Sequence, residues 1–184
     1  MTCKKGFDQM IDEGTLSRAR NHLPDAQRQL YAVFADACFT TAYRITGDHA
    51  QAADICHDTF LTVFDKIGQF SGEPAQCGGW IKRIAVIKTL NYLRIAGRFT
   101  DMDVNSDTQS DSIFDEGYAE TLQDLETLLT QLPTTARTVL WLYEVEGYSH
   151  KEIAGLFNKS LSFSKVTLLR AHATLKHIAR DSYE

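Results

Sequence analysis

The chain predicts an all-α fold of two small helical domains, and three observations carry that prediction. Apolar residues recur at helical spacing over long stretches, while strand-like alternation of apolar and polar residues is absent. Residue types that start and stop helices stand where those stripes begin and end. A carboxylate-rich stretch without Lys or Arg then divides a chain whose 184 residues suffice for one medium core or two small ones. This sets a helical domain at 1–98, an acidic linker at 99–122 and a second helical domain at 123–184.

In the first domain, Pro24-Asp25 opens a helix in which Leu30, Val33, Phe34, Ala37, Cys38, Thr41, Ala42 and Ile45 share one face, ending at Gly47. Asp48 is placed to cap the next helix, with Ala52, Ile55, Thr59, Phe60, Val63, Phe64 and Ile67 as its apolar stripe and Gly68 at its close. Ser71 to Gly79 holds three glycines and a proline, so it is expected to be a loop. Trp80 to Arg98 is expected to be a third helix.

In the second domain, Leu132-Pro133-Thr134 through Ile178 reads as a helix-turn-helix. Ser149 with Glu152 three residues on is a capping box, which satisfies two orphan amides and starts a helix. Ile153, Ala154, Leu156 and Phe157 supply its apolar face. Asn158 stands where the turn wants a left-handed residue. Ser160 or Ser162 then caps a second helix with Leu168, Ala171, Leu175 and Ile178 inside, and Lys165, Thr167, Arg170 and His172 expected outside.

The net charge of −5 argues against nucleic acid only until it is mapped. Residues 1–98 hold 12 Lys/Arg against 10 Asp/Glu, and residues 127–184 hold 7 against 5. The nine acidic residues between, Asp101 to Glu126, carry the excess, as a solvated spacer does. No apolar run approaches the ~20 residues of a membrane span, and the first residues lack the apolar core of a signal peptide. Cys3, Cys38, Cys56 and Cys77 form neither a CxxC pair nor a framework, which fits reduced thiols and a cytoplasmic location. No closed four-ligand set surrounds Cys56, His57 and Cys77, so neither a metal nor another cofactor is expected.

The third helix mixes cations, aromatics and an amide: Trp80, Lys82, Arg83, Lys88, Asn91, Tyr92, Arg94 and Arg98. Such a surface neutralises phosphates while offering flat faces to unpaired bases. The competing reading makes Trp80 and Tyr92 partly core and the cations a solvated face.

Together these pieces resemble the extracytoplasmic-function group of the sigma-70 family, the promoter-recognition subunits of bacterial RNA polymerase. The resemblance is carried by Gly47-Asp48 with Ala52 to Leu61, by Trp80-Ile81-Lys82-Arg83-Ile84-Ala85 leading to Asn91-Tyr92-Leu93-Arg94, by Leu132-Pro133, by Glu146 to Ala154, and by Arg170-Ala171. It implies a region 2 and a region 4 domain, without catalysis. It further implies that Asp54 and Asp58 dock on the coiled coil of the polymerase beta-prime subunit. The loop at 71–79 would capture a base flipped from the minus-10 strand, held by Trp80, Lys82, Arg83, Lys88, Asn91 and Arg94. Lys165, Thr167 and Arg170 would face the minus-35 element in the major groove. A stress or envelope-type regulon and an anti-sigma factor or Ser/Thr kinase as restraint are implied as well.

The sequence departs from the family pattern at three positions. Ala53 stands where a carboxylate is usual, Ser164 where an apolar core residue is, and Thr167 where Arg often is. Thr59, near the thinned acidic face, is a candidate phosphorylation site, against its reading as a half-buried threonine of the apolar stripe. Two other functions stay open: a helix-turn-helix regulator that binds duplex DNA without polymerase, and a sigma-like interaction module. An enzyme is disfavoured, because Cys56-His57-Asp58 are consecutive on a helix and their side chains diverge by ~100°.

Overall fold

The computed structural model describes residues 6–99 and 127–181, all helix, turn and loop. The acidic segment at 100–126, and with it the expected linker, lies outside the described residues. Two compact units divide the chain, residues 1–92 and 93–184.

The first unit begins with a 3-10 turn at Gly6–Asp8 and a short helix, α1 (Glu13–Arg20), both ahead of the first helix expected from sequence. Asp12 caps α1: its carboxylate accepts from the Thr15 amide at 2.8 Å and the Thr15 hydroxyl at 2.6 Å, which holds its pKa below the usual carboxylate value. Pro24 occupies the first position of α2 (Pro24–Thr46), where a missing N–H is harmless. Gly47 ends that helix at φ 71°, a conformation glycine adopts without strain. Asp48 caps α3 (His49–Lys66), accepting from the Gln51 amide at 3.0 Å. Each such cap contributes ~1 kcal/mol.

The stretch 71–79 is shorter as a loop than its composition suggests. A 3-10 turn at Ile67–Gln69 follows α3, and α4 (Pro74–Ile95) starts at Pro74, so Gly78 and Gly79 are helical. Gly78 is there for closeness: a Cβ on it would lie 2.0 Å from the Phe7 carbonyl oxygen. Phe7, Ile11, Leu16, Leu30, Phe34, Cys38, Phe60, Val63, Cys77 and Ile81 build one core from the N-terminal turn and all four helices.

Cys38, Cys56 and Cys77 are buried free thiols. Burial raises the Cys56 pKa and pushes Cys77 up to about 11. In the fold Cys77 is held as the protonated thiol at pH 8, and its buried side chain is closed to reagents. Iodoacetamide is therefore expected to leave these three unmodified in the folded protein and to label them in urea. Fast native labelling of Cys77 would contradict this packing.

In the second unit, residues 127–130 are helical and lead into α5 (Thr134–Glu144), whose residues Thr135 to Leu142 are all buried. The capping box on α6 (His150–Phe157) has both arms: the Ser149 amide donates to Glu152 Oε2 at 2.9 Å, and the Glu152 amide to Ser149 Oγ at 3.3 Å. Asn158 is left-handed at φ 53°. Ser160 Oγ accepts from the Phe163 amide at 3.2 Å at the start of α7 (Leu161–Asp181). The α6–α7 crossing includes a polar contact: the buried Ser164 hydroxyl meets His150 Nδ1 at 3.0 Å, and the His150 ring stacks on Tyr143 of α5 at 4.4 Å.

Candidate nucleic-acid and polymerase surfaces

On α4 the exposed positions are Ala75, Gln76 and Gly79 in the first turns, then Arg83, Ile87, Asn91, Arg94 and Ile95. From Arg83 to Arg94 they fall three or four apart and so form one stripe along the helix. Lys88 is half-buried beside it. Lys82, expected with these cations, is half-buried and lies two residues from Trp80, about 200° around the helix, so it leaves the stripe. Trp80 is half-buried against the core, with the Phe70 ring 5.0 Å away at 31°. One of its faces thus packs internally.

The loop ahead of α4 is tightly folded. Gly72 lies so near Phe70 that a Cβ on it would meet the ring at 2.5 Å. The Glu73 amide donates to Gln76 Oε1 at 3.0 Å, which caps the new helix.

On α3, Asp54, His57, Asp58 and Leu61 are exposed at spacings of three and four, giving an acidic face with an apolar edge. Ala53 is exposed beside Asp54. Thr59, by contrast, is fully buried and donates its hydroxyl to the Ile55 carbonyl at 2.7 Å. Its expected role as a phosphorylation site is corrected: the hydroxyl points into the helix packing, where a kinase has no access.

On α7, Lys165 and Arg170 are exposed with Ser162, Val166 and Leu169 on one face. Thr167, expected on that face, is 1% exposed and belongs to the buried side with Ser164, Leu168 and Ala171. The correction follows from phase: at ~100° per residue, 167 lies with 164, 168 and 171, not with 166 and 170. His172 is half-buried and pairs with Glu144 at 3.0 Å. From Ser162 to Arg170 the outward face therefore has two cations, and two exposed apolar side chains, Val166 and Leu169; the exposed Lys176 continues the same face further along the helix.

Comparison with known proteins bears on the two helical units. The Sigma-70 region 2 model matches residues 30–99, and the Sigma-70, region 4 model matches residues 122–175. A Mycolicibacterium smegmatis protein, ECF RNA polymerase sigma factor SigE, is 26% identical over 165 residues, covering 85% of this chain. The chain spans 63% of that relative's length. RNA polymerase sigma factor YlaC of Bacillus subtilis is 29% identical, covering 90% of this chain and 96% of its own. Among solved structures, RpoE of Bartonella quintana in complex with the anti-sigma factor NepR superposes with a TM-score of 0.58 at 20% identity, over 83% of this chain and 96% of that one. CnrH in complex with the cytosolic domain of CnrY gives 0.55 at 22%, over 92% and 97%. The two family models define a protein with sigma region 2 and region 4 domains. The chain belongs to the sigma-70 family, and within it to the extracytoplasmic-function group.

Proposed function

We propose that this protein is a dissociable RNA polymerase sigma factor, which binds the core enzyme and directs it to promoters from the cytoplasm. The observation that carries this reading is the pairing, on one chain, of a region 2 unit presenting a cationic helix stripe with a region 4 unit presenting Lys165 and Arg170. In this reading residues 1–98 and 123–184 are the two working domains. The acidic face of α3, with Asp54 and Asp58, meets the beta-prime coiled coil; charges at such a rim steer encounter and fix register more than they add affinity. An anti-sigma protein restrains the factor by competing for these exposed faces. With Thr59 buried, that restraint is preferred over a kinase acting there.

Arg83, Lys88, Asn91 and Arg94 track the single strand, with the loop before α4 receiving an extruded base. Lys165 and Arg170 enter the major groove at the minus-35 element. With two cations, Lys165 and Arg170, in the first half of the reading helix, binding leans on polymerase to deliver both domains together, an effective-concentration gain.

Runoff transcription of genomic DNA with core polymerase tests the proposal and yields a promoter. On that promoter, Lys165→Ala/Arg170→Ala should weaken closed-complex formation, each contact being worth about 1–3 kcal/mol. Asn91→Ala/Arg94→Ala should bind but lose permanganate reactivity at the melted segment. A protein that binds duplex promoter DNA tightly alone and ignores core polymerase would be the helix-turn-helix regulator instead.

A further inference from the structure

Arg20, the last residue of α1, reaches fifty residues along the chain to the loop before α4. Its Nε donates to the Phe70 carbonyl at 2.9 Å and its Nη2 to the Gly72 carbonyl at 2.6 Å. The guanidinium carbon lies 5.8 Å from the Phe70 ring centroid, and that ring in turn lies 5.0 Å from Trp80. Nη1 is tied back to Glu13 at 3.5 Å. The side chain is 28% exposed, so it is a brace under the loop rather than a loose surface cation. Arg20 and Glu13 lie ahead of the matched region 2 segment, which begins at residue 30, whereas Phe70, Gly72 and Trp80 lie inside it.

We infer that Arg20 is a positioning residue that sets the 70–73 loop in the shape that receives an unpaired base. The inference rests on the sigma-factor reading above. A trans peptide is planar, with its C=O and N–H on opposite sides, and none here is cis. Turning the Phe70 and Gly72 carbonyls toward Arg20 therefore turns the Ser71 and Glu73 amides away from it. The Glu73 amide is taken by Gln76 Oε1. The Ser71 amide, on an exposed residue and turned from Arg20, is left as a donor suited to an acceptor on a base edge. Only a planar fork can hold two carbonyls in fixed relation; a lysine offers one charged nitrogen on a flexible stem. The loop is thus set before DNA arrives, and a strand that must first order it binds more weakly in proportion to the population lost.

The test uses holoenzyme assembled from core polymerase and wild type, Arg20→Ala or Arg20→Lys. The probe is a single-stranded non-template oligonucleotide from the minus-10 segment of the runoff promoter, with 2-aminopurine at the extruded position. Both variants should bind core polymerase and duplex promoter as wild type does, yet bind the oligonucleotide on the order of tenfold more weakly. Wild-type affinity in Arg20→Ala, or full rescue by Arg20→Lys, would overturn the assignment, the latter because charge alone would then suffice. If Arg20→Ala fails to fold, Arg20→Lys carries the test, since it keeps the stem and the charge. Hydrogen exchange separates this inference from the reading beneath it. In the free protein, the Phe70 and Glu73 amides, bonded to the Ile67 carbonyl and to Gln76 Oε1, should exchange on the order of tenfold faster in both variants. Unchanged exchange sinks the brace whatever the DNA does, whereas faster exchange with no oligonucleotide binding by wild-type holoenzyme counts against the sigma-factor reading alone.

Discussion

Gly78→Ala is expected to cost about 3 kcal/mol or more of stability, because the obstacle its methyl group meets is backbone. The added Cβ would stand 2.0 Å from the Phe7 carbonyl oxygen and 3.0 Å from Phe34 Cε1. A flexible side-chain tip could yield, but Phe7 is itself part of the core. Either the N-terminal turn lifts or α4 withdraws, and both expose apolar surface. Extra methylenes in packed cores usually cost about 1–3 kcal/mol, and this site has less room than most. Gly79→Ala is the control: nothing lies within 4 Å of its Cβ, so it should gain up to about 1 kcal/mol from helix propensity. Urea unfolding should show midpoints moving in opposite directions at unchanged slope. Equal shifts would mean that α4 does not dock on the Phe7 segment.

Thr59→Glu should unfold the region 2 unit rather than activate it. Thr59 has no exposure, and its hydroxyl is bonded to the Ile55 carbonyl within α3. A carboxylate there would have to desolvate, take up a proton or force the helices apart, at a cost of several kcal/mol. Thr59→Val removes the hydroxyl without adding charge and should change stability by about 1 kcal/mol or less. Circular dichroism melts of the two variants decide the matter. A Thr59→Glu protein that melts like wild type and binds core polymerase better would return the residue to the surface and revive the switch.

Much of this architecture was legible in the chain. Asp48, Gly47, the Ser149–Glu152 box and Asn158 signal helix ends by local chemistry, and each occupies the position its chemistry requires. The start of α4 was not legible, since glycine at 78 and 79 reads as loop unless one knows that Phe7 lies against it. Helix α1 was missed because eight residues give too little periodicity to register. Its Asp12-to-Thr15 cap is the one local signal of that helix in the sequence. Thr167 was placed outward because polar character was allowed to outweigh phase; counting from Leu168 and Ala171 would have turned it inward. The stripe on α4 was read as one surface, but composition cannot say that Lys82 faces elsewhere or that Phe70 covers part of Trp80. Arg20 lay beyond sequence reasoning altogether, because its partners are two carbonyls about fifty residues away.

The His150–Ser164 bond bears on how DNA would be read. An apolar contact at that crossing would fix how near the two helices lie but leave either free to roll slightly about its axis. A hydrogen bond has a direction, and His150 is itself held flat against Tyr143. The inner face of α7 is thereby locked in azimuth, and Lys165, Val166, Leu169 and Arg170 are aimed from behind, like the teeth of a key whose shank cannot turn.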